Sequence, residues 1–253
     1  MGHPNMSTSL INKVSIWAKN AQFWLMPGVC VVCQQPTGTN VDLCAACRRS
    51  LVGLESPCTG CALPLPPGDY TGTLCGKCQA PLRLVHRTTA GFAYQAPVAG
   101  LIGQFKYQGK LQHGRVLTDL LLEDIRSSYE PTALPQLLLP IPLHPARLRE
   151  RGYNQALLMA QQLGSALQIP VAHDVLQRVI NTSAQQGLSA RERKHNLRRA
   201  FALASRVQLQ DLASIALIDD VVTTMSTVRE LACLIRNNVE SELAIHVWCL
   251  ARA

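Results

Sequence analysis

Aromatic side chains are scarce in this chain of 253 residues, at 5% of the total. Its core must therefore be built from Leu, Ala, Val and Ile rather than from ring clusters. Long apolar runs are missing too. Nothing approaches the roughly 20 apolar residues that cross a bilayer. Residues 1–23 are broken by Asn12, Lys13, Lys19 and Asn20, so neither a membrane partner nor a secretory leader is expected, and the expected location is cytoplasmic. Acidic residues are the minority, 16 against 24 Lys and Arg, for a formal charge of +8. That balance favours phosphates, nucleotides or nucleic acid as partners. Low-complexity tracts are absent, and a hydrophobic content of 47% excludes wholesale disorder.

Cysteine is abundant and oddly placed. Of ten cysteines, eight lie in Cys-x-x-Cys pairs, namely Cys30/Cys33, Cys44/Cys47, Cys58/Cys61 and Cys75/Cys78. In a reducing compartment stable disulfides are not expected. Two thiolates spaced this way on a tight turn can point at one ion, and two such knuckles complete a tetrahedral site of four thiolates. A redox pair normally stands alone beside a βαβ pattern, which four consecutive pairs do not. Two structural zinc ions are the expectation, zinc being preferred by default because sulfur-only tetrahedral ligation also suits iron. Sequential pairing of the knuckles is the simplest arrangement, and a cross-braced one stays open. Cys233 and Cys249, in apolar surroundings, read as core residues.

The stretch 30–78 has turn chemistry and little periodicity, so metal must supply part of its folding free energy. Three regions follow: an extension over 1–29, in which Leu10, Val14, Trp17 and Ala18 fall at helical spacing, a cysteine-rich module over 30–80, and a larger domain over 81–253. In the last, apolar patterning predicts strands at 88–94, 137–141, 214–218 and 243–250. Helices are predicted at 97–107, 113–127, 153–167 and 226–235. Strands alternating with helices imply a doubly wound α/β fold with a parallel sheet, whose ligands bind beyond the strand carboxyl ends.

At one such end stands Ile215-Ala216-Leu217-Ile218-Asp219-Asp220-Val221-Val222-Thr223-Thr224-Met225-Ser226-Thr227. An apolar strand meets two carboxylates and then a hydroxyl-rich turn into a helix. The turn and helix N-terminus offer N–H groups to an anion. Asp219 and Asp220 can accept hydrogen bonds from sugar hydroxyls or organise magnesium through water. Phosphate beside a vicinal diol is the footprint of a ribose 5-phosphate. A plain helix cap needs one such residue, whereas six polar groups fall here in nine positions.

This stretch resembles the phosphoribosyl-pyrophosphate (PRPP) motif of type I phosphoribosyltransferases. From Cys30 onward the chain resembles the ComF/GntX family, linked to bacterial competence and DNA utilisation. The supporting blocks are the knuckles, Phe105-Lys106-Tyr107, Pro140-Ile141-Pro142-Leu143-His144-Pro145, Arg151-Gly152-Tyr153-Asn154-Gln155, Gln186-Gly187-Leu188-Ser189-Ala190-Arg191 and Asn196-Leu197-Arg198-Arg199-Ala200-Phe201. The resemblance implies a type I phosphoribosyltransferase-like sheet behind a double zinc ribbon. It implies that Mg-PRPP is bound with its 5-phosphate on Thr223, Thr224, Met225, Ser226 and Thr227 and its ribose on Asp219 and Asp220. Lys106 and the loop 142–151, with Arg147, Arg149 and Arg151, would face the pyrophosphate, the arginines being suited to bidentate contact with phosphoryl oxygens.

Where the family has glycine, this chain has Met225. A left-handed conformation there would cost a residue bearing Cβ about 1–2 kcal/mol, and Met225→Gly is expected to tighten phosphate binding if that strain opposes the bound loop. No acceptor site is legible. Two functions compete: phosphoribosyl transfer from Mg-PRPP, and non-catalytic binding of a nucleotide or single-stranded DNA by the ribbons and the basic tract 191–199. On a helix Arg191, Lys194 and Arg198 would form one cationic strip. Competence and DNA-processing proteins are the partners that the resemblance suggests.

Overall fold

A computed structural model describes residues 28–39, 41–66, 73–80, 83–180, 200–204, 209–240 and 242–253. The proposed N-terminal helix and the strip of Arg191, Lys194 and Arg198 lie outside these residues. The chain forms two units, Met1–Ser50 and Leu51–Ala253. In the first, a bridge between Val29 and Pro36 closes a turn, and helix α1 spans Ala45–Ser50.

The second unit is organised by four parallel strands in the order β1-β6-β5-β2. They are β1 (Arg87–Ala93), β2 (Leu137–Pro140), β5 (Ser214–Val222) and β6 (Ala244–Arg252). β5 and β6 lie mid-sheet and are almost wholly buried, as expected of parallel strands covered on both faces. Alternation divides their side chains. Ile215, Leu217, Ile245, Val247 and Cys249 join a core with Val228, Leu231, Ala232 and Ile235, which belong to helix α6 (Ser226–Arg236). The opposite face is covered by α2 (Val98–Tyr107), α3 (Leu111–Ser128) and α5 (Gln155–Leu167). Phe105, Leu117, Leu121, Ile125, Met159 and Leu163 are buried there, each contributing about 1.5–3 kcal/mol by leaving water. Close approach of α2 to α3 depends on Gly114, where a Cβ would stand 2.4 Å from the Phe105 ring.

Two features differ from the sequence reading. The strand read as 214–218 runs on to Val222, so the aspartates belong to it. Its pairing with β6 also continues, Asp219 standing opposite Cys249 and Val222 opposite Arg252. Within 142–151, read as a loop, residues Pro145–Arg151 form helix α4. His144 caps it by accepting from the Ala146 N–H at 3.2 Å, Pro145 suits its first turn, and Gly152 ends it at φ +80°. The short antiparallel pair β3 (Leu176–Arg178) and β4 (Phe201–Leu203) completes the unit.

Candidate phosphate-binding site and zinc centres

β5 carries its aspartates past the end of β2, whose last pair is Pro140 with Ile218, and its loop beyond the sheet. Asp220 is 8% exposed, and its carboxylate pairs with Lys106 Nζ at 2.8 Å. Lys106, which the resemblance assigns to the pyrophosphate, thus meets directly a residue that it assigns to the ribose. Asp219 accepts from the Asp220 N–H at 2.9 Å. Burial pushes the Asp219 carboxyl up to about 7, helped by the Asp220 charge and opposed by the Asp220 N–H, Lys106 and Arg178.

Lys106 is held by the block that follows α4. Tyr153 donates its hydroxyl hydrogen to the Phe105 carbonyl, and the Gln155 amide donates to the Lys106 carbonyl at 3.5 Å. Asn154 donates to Ile141 O at 3.1 Å and caps α5 by accepting from the Ala156 N–H at 3.0 Å. The Arg-Gly-Tyr-Asn-Gln block is therefore a bracket that fixes the lysine end of α2 against the ends of β2 and α5. Arg151 bonds Gln155 at 3.1 Å and lies over the Tyr107 ring at 5.0 Å. Arg147 is half-buried and Arg149 exposed.

Sequence reasoning missed Arg178 on β3, which lies over the Phe201 ring at 5.4 Å. Burial and the charge of Arg147 push its pKa down, Asp219 raises it and Arg151 lowers it. That charge pattern joins Arg147, Arg151, Arg178 and Asp219 in one electrostatic neighbourhood. A three-residue strand carries no sequence signal strong enough to announce it.

After Val222 the chain turns through Thr223 and Thr224, both exposed, to Met225. Met225 has φ 62° and ψ 5°, the left-handed conformation, and immediately precedes α6. Its side chain is buried in the core shared by α6 and the sheet. Thr224 and Ser226 hydroxyls are 2.8 Å apart. The loop and the first turn of α6 line a small cup bordered by Asp219, Thr223, Ser226 and Thr227. An anion there would meet free helix N–H groups and hydroxyls together. On the other flank of the loop lies a cleft of about 430 Å³, lined by Thr223, Thr224, Met225, Lys77, Arg83 and Arg229, with Leu63, Leu84 and Val85 as apolar walls.

Both cysteine quartets converge. The sulfurs of Cys30, Cys33, Cys44 and Cys47 lie within 4.8 Å of one another, as do those of Cys58, Cys61, Cys75 and Cys78. The Cys33–Cys44 and Cys61–Cys75 sulfurs are 3.9 and 3.8 Å apart. Four sulfurs at about 2.3 Å from zinc stand about 3.8 Å apart at the tetrahedral angle. The sites fit zinc, and the pairing is sequential. Burial disfavours the Cys30 thiolate, yet N–H groups of Cys33, Cys44 and Val32 outweigh it and bring its pKa down to about 6. In the second unit Cys58 and Cys61 are core residues packed with the sheet, so that site belongs to the α/β unit.

Fold and site together define a double zinc ribbon protein built on a doubly wound parallel α/β sheet. Residues 21–85 match the double zinc ribbon domain family. The chain is 35% identical over 223 residues to Competence protein F of Haemophilus influenzae, covering 83% of this chain and 96% of that protein. It is 33% identical over 230 residues to the DNA utilization protein YhgH of Escherichia coli K12, covering 90% and 98%. The chain belongs to the family of Competence protein F and the DNA utilization protein YhgH. Similar solved structures include a purine phosphoribosyltransferase from Pyrococcus horikoshii, at 13% identity and TM-score 0.32 over 54% of this chain and 80% of that one. Another is the adenine phosphoribosyltransferase of Leishmania tarentolae, at 13% identity and TM-score 0.36 over 59% and 74%.

Proposed function

We propose that the β5 loop binds Mg-PRPP or a related ribose 5-phosphate ligand. The observation that carries this reading is the junction itself: two carboxylates at the end of a buried strand, then a left-handed residue that presents a hydroxyl-rich helix N-terminus. In this reading the N–H groups of 225–227 and the hydroxyls of Thr223, Thr224, Ser226 and Thr227 hold the 5-phosphate. Asp220, paired with Lys106, and Asp219 accept from the ribose hydroxyls. Magnesium, when bound with the ligand, would neutralise pyrophosphate charge, and the aspartates are hard oxygen donors of the type it takes. Arg147, Arg149 and Arg151 stand on the pyrophosphate side. Transfer to an acceptor would be promoted by positioning and by stabilising the departing pyrophosphate. Soaking a crystal with PRPP and magnesium tests this assignment. Phosphate density at 223–227 with the ribose at Asp219 and Asp220 is expected, and density elsewhere or none would refute it. Pyrophosphate release with candidate acceptors then decides whether transfer occurs.

A second reading, non-catalytic binding of single-stranded DNA, is supported by the cleft beside the second zinc site, at Cys61 and Cys78. Lys77, Arg83 and Arg229 line it, and among the described residues no acidic side chain does. Its test is fluorescence anisotropy with single-stranded DNA at two salt concentrations. A steep weakening with salt is expected if phosphates are the contact. The names of the relatives, which refer to competence and DNA utilization, agree with a role in DNA handling, and the expected compartment is the cytoplasm.

A further inference from the structure

Arg252 lies at the end of β6 and is 5% exposed, a depth of burial that few cations reach among the described residues. Its guanidinium extends in two directions. Nε donates to the Cys61 carbonyl at 2.8 Å. A terminal nitrogen donates to the Val222 carbonyl at 3.0 Å and to the Thr223 carbonyl. Cys61 belongs to the second zinc quartet, and 222–223 is the start of the proposed phosphate loop.

The knuckle is pinned to the sheet at three successive carbonyls. Thr59 O accepts from the Thr88 N–H at 2.8 Å, and Gly60 O from the Thr88 hydroxyl at 2.8 Å. Cys61 O accepts from Arg252. Of these three ties, the last also holds the loop. Zinc loading changes both the shape and the charge of this neighbourhood. Four thiolates on a divalent ion leave net negative charge beside the guanidinium, and metal coordination fixes the turn whose carbonyl Arg252 engages. Without the ion, the turn keeps only its hydrogen bonds, among them those to Thr88 and Arg252. One anchor of the planar Arg252 fork is then held less firmly.

We infer that Arg252 is a positioning residue that couples the second zinc site to the phosphate loop, so that loss of that zinc weakens anion binding at 223–227. The link to affinity rests on the phosphate-loop reading above; the mechanical link between knuckle and loop does not. Coupling is reciprocal, so ligand should also slow escape of the second zinc.

The test uses the full-length, zinc-loaded protein and Arg252→Lys, which keeps the charge and loses the fork. Hydrogen exchange is followed in peptides covering 58–63 and 220–227, and zinc release to a chromogenic chelator is timed with and without PRPP and magnesium. The release phase missing from Cys44→Ser identifies the first site. Thr88→Val serves as the control that loosens the knuckle alone. In Arg252→Lys with two zinc ions retained, exchange should rise about tenfold or more in both peptides. In Thr88→Val it should rise only in 58–63. Ligand should slow second-site release several-fold in the wild type and not in Arg252→Lys. Unchanged exchange in 220–227, or equal slowing by ligand in both proteins, would overturn the inference. If the wild type binds neither PRPP nor inorganic phosphate, the ligand reading fails and the exchange data still decide the coupling. Should Arg252→Lys not fold, Cys75→Ser replaces it: faster exchange in 220–227 on losing the second zinc supports the coupling, and unchanged exchange there refutes it.

Discussion

Replacing Met225 by glycine sets two opposing contributions against each other. At φ 62° the methionine carries left-handed strain, worth about 1–2 kcal/mol for a residue with a Cβ. Its side chain, however, is only 9% exposed and packs with the core of α6 and the sheet. Truncating a buried methionine to alanine costs about 2–5 kcal/mol. Removing the last carbon relieves the strain, but adds unfolded-chain entropy of about 0.4–1 kcal/mol. The packing loss wins, leaving Met225→Gly less stable by roughly 1–4 kcal/mol. Because the left-handed conformation belongs to the folded loop itself, strain is borne by folding and not by the binding step. Phosphate affinity should therefore not improve on the glycine substitution, even though stability falls. Urea unfolding, monitored by circular dichroism, gives the first quantity, and calorimetry with PRPP and magnesium the second. A variant more stable than the wild type would refute the packing argument. Tighter ligand binding would show that strain resides in the bound loop instead.

The remaining predictions concern metal, pH and the bracket around Lys106. Elemental analysis should find two zinc ions per chain, and Cys44→Ser should retain one; a single equivalent in the wild type would contradict the two-ribbon arrangement. Burial, with the charges of His86 and Arg87, brings the His246 pKa down to about 4 from 6.5. The unfolded chain therefore binds this proton first, and stability present above pH 6.5 is lost as pH falls towards 4, by roughly 2 kcal/mol at pH 5. His246→Gln should lower stability at pH 7 but flatten that decline, and an unaltered slope would refute the assignment. Tyr153→Phe removes the donor to Phe105 O and should cost about 0.5–1.5 kcal/mol in urea unfolding, with weaker PRPP binding through Lys106.

Period and spacing made much of this molecule legible. The strands at 137–140 and 244–252 are dense apolar runs, and a buried parallel strand has no other way to satisfy two covered faces. Four cysteine knuckles announce two sites because thiolate pairs at that spacing have few other uses, and the structure adds that the knuckles pair sequentially. Met225 stands out as a Cβ where the resemblance leads one to expect glycine, and the left-handed φ gives that oddity a physical meaning. Other features left too faint a trace. Helix α4 has only seven residues and depends on a histidine cap and a terminal glycine rather than on an apolar stripe. Arg178 lies on a strand of three residues. Arg252 ends an apolar strand, where a lone cation looks like a strand boundary. Its importance comes from partners 30 and 191 positions away, a separation that no local pattern encodes. The integration of the Cys58/Cys61 knuckle into the sheet's core is likewise a tertiary fact, carried by Thr88 and Arg252.

The most direct test of the central claim is a calorimetric titration of PRPP with magnesium into the wild type and Asp220→Asn. Asp220 holds a buried, charge-assisted contact with Lys106 and stands on the proposed ribose side. Saturable binding by the wild type is predicted, weakened by about 1.5–3 kcal/mol in the variant, which is on the order of 10- to 100-fold in Kd. Absence of heat with the wild type, or equal affinity in the two proteins, would contradict the assignment of a ribose 5-phosphate site to the end of β5.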